Sequence, residues 1–120
     1  MRMNVKSRSP GEILLQLLDR SRCSVQVAAC VADKRGIFAW GWNSEGPDGF
    51  GEHAERACLK RANSRRLTNA TMYVMARRRN SKNFICARPC ADCWPSVRQC
   101  KEVVWRDKGN TWTTEHSNSR

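Results

Sequence analysis

Four of the chain's seven cysteines fall within one short stretch, at Cys86, Cys90, Cys93 and Cys100. Cys90 and Cys93 form a C-x-x-C pair. On a helix, or on the turn leading into one, that spacing sets both sulfurs on the same side. The unpaired N–H groups and the dipole of a helix start also favour thiolates. Two thiolates so placed make half of a tetrahedral zinc site, with Zn–S near ~2.3 Å. A zinc finger would need a second pair close by. Cys86 and Cys100 stand four before and seven after the central pair, which matches no common finger, and the one histidine downstream is His116 near the C-terminal end. The better partner is upstream. His53 opens a predicted helix after a glycine-rich loop, and His53, Cys90 and Cys93 together make three donors. Three protein donors leave a fourth position for water, which marks a catalytic zinc rather than a structural one. Glu55, two residues after His53, does not share its helix face. It is placed to take a proton from that water and hand it on.

The remaining cysteines read differently. Seven is odd, so a complete set of intramolecular disulfides is ruled out, and in a reducing compartment cysteines are metal-binding, catalytic or simply buried. Cys23, Cys30 and Cys58 lie in apolar or amphipathic surroundings and read as small buried side chains. Cys86 and Cys100 read as structural thiols. No apolar run is long enough to span a membrane, and no apolar core follows the basic start MRMNVKSRSPGE. The expected location is therefore the cytoplasm, or the host's cytoplasm for a viral chain. A net charge of +11 asks for an anionic partner, either nucleic acid or a nucleotide phosphate.

The elements that must position these residues follow from patterning. With 120 residues, 40% hydrophobic and 28% charged, the chain reads as one globular domain over 1–120, with 115–120 as a flexible tail. Ser9-Pro10-Gly11-Glu12 is a helix start with a capping box. Ile13, Leu14, Leu17 and Leu18 continue it as one apolar face, ending near Ser21. Residues 24–32 and 37–42 form a β-hairpin, and the first strand is apolar at nearly every position, so both its faces should be covered. Residues 43–52 are a loop. Residues 53–63 form a helix with Ala54, Ala57 and Cys58 inward. Residues 71–76 are a third strand, 77–83 a basic loop and 84–86 a short extended piece. Residues 90–100 suit a helix that Pro95 confines to its later part. Residues 102–106 and 111–114 are the last two strands, and the turn between them is too short for a crossover, so they pair antiparallel. The expected fold class is an α/β sandwich around one five-stranded mixed sheet.

His53-Ala54-Glu55 followed by Pro89-Cys90-Ala91-Asp92-Cys93 resembles the signature of the zinc-dependent nucleobase deaminases, a superfamily that includes cytidine and deoxycytidylate deaminases. The resemblance covers most of the chain, in the family's order. It implies the cytidine deaminase-like fold, Zn2+ as cofactor, and His53, Cys90 and Cys93 as its ligands. It also implies a zinc-activated hydroxide that attacks C4 of cytosine (or C6 of adenine), with Glu55 shuttling protons. Asn43, at the end of the second strand, stands where such enzymes hold the substrate sugar, while its plain reading is a loop-capping residue. Arg77 to Arg88 intervene between the third strand and P-C-x-x-C, an insertion similar to that of small phage-type deaminases. The closing antiparallel hairpin resembles the free-cytidine division more than the transfer-RNA or polynucleotide division.

The expected function is conversion of cytosine to uracil in a (deoxy)cytidine nucleotide or in single-stranded or duplex nucleic acid. An adenine- or guanine-type deaminase on the same site, and a non-catalytic zinc protein binding nucleic acid, stay open, as does a homo-oligomer. Candidate substrate-binding residues are Asn43, Ala54, Phe50, Trp94 and Arg88. Phe50 and Trp94 are candidates for base stacking. Arg88 and the run Arg77-Arg78-Arg79 are candidates for phosphate.

Overall fold

The computed structural model describes residues 9–46 and 51–116. In chain order it contains α1 (Pro10–Leu18), β1 (Val25–Asp33), β2 (Gly36–Trp42), α2 (Ala54–Arg61), α3 (Ser64–Leu67), β3 (Thr71–Arg78), β4 (Phe84–Ile85), α4 (Trp94–Val97), β5 (Glu102–Arg106) and β6 (Trp112–His116). The strands form one mixed sheet in the order β2-β1-β3-β5-β6, with β4 paired to β3. Among the described residues, only β3 and β5 pair in parallel. A parallel pair needs a crossover, and that crossover carries β4, the C-x-x-C turn and α4. The closing pair β5–β6 is antiparallel, as its short turn requires.

Helices cover both faces. Ile13, Leu14, Leu17 and Leu18 of α1 pack with Ala28, Cys30 and Met75 on one side. Ala54 and Cys58 of α2 and Val97 of α4 pack with Ala29, Val31, Met72 and Val74 on the other. β1 thus has apolar residues on both faces because both faces meet helices. Ser9 caps α1: its hydroxyl accepts from the Glu12 N–H while the Glu12 carboxylate accepts from the Ser9 N–H, which completes the capping box. α2 lies so close to β2 that a Cβ on Gly41 would stand 2.7 Å from the Cys58 backbone nitrogen. Gly41→Ala is therefore expected to destabilise the fold by about 2 kcal/mol, as overpacking does. Urea unfolding with an unchanged slope would show it, and an unaltered midpoint would contradict it.

Several boundaries differ from the sequence expectation, each for a physical reason. α1 ends at Leu18 rather than near Ser21, because Ser21 turns inward and its hydroxyl bonds Asn43 Oδ1 at 2.6 Å. The sheet has six strands rather than five, since the short piece at Phe84–Ile85 pairs with Ala76 and Arg77. β3 runs two residues past Ala76, so Arg77 does not belong to an exposed basic loop. Its buried guanidinium donates to Gln26 Oε1 at 2.8 Å and to Asp19 Oδ1 at 2.6 Å. β6 continues to His116, which pairs with Glu102, so residues 115 and 116 are strand rather than frayed tail. α3 is an element that patterning does not mark: Asn63 caps a single turn that tucks Leu67 into the core.

Candidate metal centre

β2 leads directly to the site. After Trp42 the chain forms an isolated antiparallel bridge, Ser44 with Glu52, bonded both ways at 3.0 Å. That register sets Asn43 across from His53, so the end of β2 and the start of α2 are held together. His53 is the N-cap of α2 in extended conformation, but its side chain makes no cap bond. It turns toward the crossover instead. There Cys90 lies in a turn closed by Cys93 N–H to Cys90 O at 3.0 Å, and Cys93 is the N-cap of α4. Pro95 sits at the start of α4, where its missing N–H costs nothing. Arg56 of α2 donates to the Asp92 carbonyl at 3.0 Å and ties the helix to this turn.

His53 Nδ1 lies 3.0 Å from Cys93 Sγ and 3.8 Å from Cys90 Sγ, and the two sulfurs are 3.6 Å apart. An ion bonded tetrahedrally to two sulfurs at ~2.3 Å and one nitrogen at ~2.0 Å would hold those atoms about 3.5–3.8 Å apart. The three donors therefore fit zinc with little movement. No fourth His, Cys, Asp or Glu joins the group among the described residues. Burial pushes the Cys93 thiol up to about 12, helped by the nearby Glu55 carboxylate. A divalent cation opposes that rise, because coordination deprotonates a thiol.

Glu55 is buried beside the cluster and is in no ion pair among the described residues. Burial raises its carboxyl above the usual range, against lowering by its own backbone N–H and by His53. A carboxyl kept in a low-dielectric site without a structural partner suits proton transfer.

The other candidates divide. Ala54 is buried at the first position of α2, where its N–H has no intrahelical acceptor. The Asn43 amide is largely engaged: its oxygen accepts from Ser21 Oγ and the Val27 N–H, and its nitrogen donates to the Val25 carbonyl at 2.8 Å. One amide hydrogen is left without an acceptor among the described residues. Trp94 is half-buried and packs edge-on against Trp105 at 6.2 Å, so it is first a packing residue, although its indole N–H is buried without a partner among the described residues. Arg88 lies 5.0 Å over the Trp94 ring and 3.6 Å from Glu115, so it is not a free cation. Phe50 lies outside the described residues. Cys30, Cys58 and Cys100 are buried with raised thiol pKa values, as inert core thiols are, whereas Cys86 is exposed beside Asp107.

Sequence reading missed Arg20 and Arg22. With Trp42, Asn43, Ser44 and Glu45 they line a recess of about 360 Å³ at the foot of the Ser44–Glu52 bridge. Their only signal was positive charge, spread along a segment where no motif marked it.

The chain belongs to the cytidine and deoxycytidylate deaminase family: that family's zinc-binding region matches residues 12–106. It is thus a deaminase whose cofactor is Zn2+, in keeping with the His/Cys/Cys cluster. Its fold is similar to that of the 1.6 Å crystal structure of cytidine deaminase from Burkholderia pseudomallei, with a TM-score of 0.69 over 88% of each chain at 18% identity. No curated protein matches the sequence. Among the described residues no helix is long and apolar enough to cross a membrane.

Proposed function

We propose that the chain hydrolyses the amino group of cytosine, in a (deoxy)cytidine unit that carries phosphate, to give uracil and ammonia. The observation that carries this reading is the buried Glu55 carboxyl beside three convergent donors, His53, Cys90 and Cys93, which this reading takes as the zinc ligands. A zinc ion held there supplies Lewis-acid activation of water. Glu55 takes a proton from the water that attacks C4 and returns it to the departing amino group, so that the C4–N bond breaks as ammonia leaves. The free N–H of Ala54 orients the base, and the remaining amide hydrogen of Asn43 reaches a sugar hydroxyl. Ser21 and the backbone of β1 hold that amide in place.

Arg20 and Arg22 support a substrate with phosphate, because they stand beside Asn43 in the same recess. Arg22→Gln is expected to raise KM for deoxycytidine monophosphate about tenfold, the worth of one charge-assisted hydrogen bond. KM for deoxycytidine should stay the same. An equal rise for both would remove phosphate from the reading.

Deoxycytidine, its monophosphate, adenine and guanine nucleotides, single- and double-stranded DNA and RNA, each incubated with zinc-loaded protein and assayed for released ammonia, test the function. Turnover of a cytosine substrate is expected. Turnover confined to purines would reassign the base, and no turnover at all would leave a zinc protein that only binds.

A further inference from the structure

A second concentration of cations lies at the opposite end of the sheet. The metal centre stands beyond the C-terminal ends of β2, β3 and β5, where Asn43 follows β2 and the Ala87 N–H bonds the carbonyl of Arg106. At the N-terminal ends of β2 and β3, the β1–β2 turn meets α3. There Asp33, Lys34, Arg35, Arg65, Arg66 and Asn69 line a notch of about 560 Å³. β3 alone spans about 24 Å at ~3.4 Å per residue, so the two places are separated by the length of the strands.

The notch is firmly built. Both oxygens of Asp33 accept from the Arg66 guanidinium at 2.7 Å, and Oδ1 also accepts from the Arg35 N–H at 2.9 Å. The Arg66 guanidinium lies 4.0 Å over the Phe38 ring. Gly36, at φ +109°, closes the turn, and Asn63 caps the turn of α3 that presents Arg65. Asp33 is thereby fully matched by Arg66. Lys34, Arg35 and Arg65 are left with no ion pair among the described residues. Three uncompensated cations around one concavity repel one another, and an anion held between them relieves that repulsion. Guanidinium and ammonium groups are the usual partners of phosphate oxygens.

We propose that this notch is a second phosphate site, and that it takes the phosphodiester backbone of a nucleic-acid strand whose target base lies in the metal centre. The proposal rests on the deaminase reading above. A mononucleotide reaches one end of the sheet only. A strand reaches both, since about seven nucleotides at ~3.4 Å each cover the length of β3. The same strand meets Arg20 and Arg22 at the near end and draws on the chain's net charge of +11.

The test is a triple variant, Lys34→Gln with Arg35→Gln and Arg65→Gln. None of these side chains makes a hydrogen bond among the described residues, so the fold and the zinc content should survive, and melting and metal analysis check both. A control of equal charge change, Lys82→Gln with Arg98→Gln and Lys108→Gln, sits elsewhere on the surface. The probe is a fluorescein-labelled single-stranded DNA of about 15 nucleotides with one cytosine, followed by anisotropy on zinc-loaded protein across a salt series. Three lost contacts at ~0.7 each should make the log–log salt slope shallower by about 2 and weaken binding tenfold or more at low salt. The control should change far less, and turnover of deoxycytidine monophosphate should be the same in both. Equal losses in the two variants, or no loss in the first, would overturn the notch. A first variant that loses affinity for inorganic phosphate or the monophosphate, but not for the strand, would overturn the strand as its ligand. Binding is read without turnover, so an inactive protein whose notch still grips the strand would sink the deaminase reading alone.

Discussion

Glu55→Ala is expected to keep its zinc and to lose turnover by about 10³-fold, within the range for removing a positioned general acid–base group. Glu55 is two residues from His53 but is not one of the three convergent donors. Its removal therefore leaves the ligand set intact. Because the carboxyl is buried and in no ion pair among the described residues, its loss does not expose an unpaired cation. The small alanine should cost little stability, since a buried ionisable group whose one bond is to its own backbone N–H contributes little to the fold. Metal analysis and steady-state rates on one preparation decide the matter. Full activity with zinc bound would refute the assigned role, and loss of zinc would show that Glu55 holds the site together instead.

Cys93→Ala should abolish zinc binding at working concentrations and, with it, detectable activity. Cys93 is fully buried and is the donor nearest His53, at 3.0 Å. Removing it leaves two donors, His53 and the exposed Cys90. Partners outside the ligand shell are already worth 10–100-fold in affinity, so loss of a ligand should cost more than ~10²-fold. The informative comparison is Cys100→Ala. Cys100 is also buried, with its thiol pushed up to about 12 by burial alone, and it packs in the core beside Val97 and Val103. That variant should keep zinc and activity while losing about 1 kcal/mol or somewhat more of stability, the cost of a small cavity. If Cys100→Ala lost zinc as Cys93→Ala is expected to, the division of the cysteines into donors and packing thiols would be wrong.

The approach of Cys90 to Cys93 is legible in the sequence, because spacing encodes it. C-x-x-C is a local pattern, and a turn or helix start brings its two sulfurs together wherever it occurs. The capping box at Ser9–Glu12, the β1–β2 hairpin and the antiparallel β5–β6 pair are legible for the same reason: each depends on a few neighbouring residues. The convergence of His53 on Cys93, forty residues away, follows from chemical need and from family resemblance. Local pattern cannot supply it.

Charge is the least legible feature. Arg77, Arg78 and Arg79 look alike in sequence, yet Arg77 is buried against Gln26 and Asp19, Arg78 ends β3, and Arg79 reaches the carbonyl of Arg22. Arg88 looks free in sequence and lies against Trp94 and Glu115. A guanidinium sits on a long chain, and its partner is whatever the fold sets within reach.

By itself, then, the sequence determined the candidate donors: two cysteines, a histidine and a carboxylate, with types and spacings that suit zinc and proton transfer. It also determined the local elements that carry them, through caps, turns and alternation. The tertiary structure alone decided which cations remain available. Arg66 is matched to Asp33, while Lys34, Arg35 and Arg65 are left around one notch, and Arg20 and Arg22 come to Asn43. The physical reason is range. Donor geometry at a helix start is set by bonds a few residues apart, whereas the pairing of a long charged side chain is set by contacts between elements that only the folded sheet brings together.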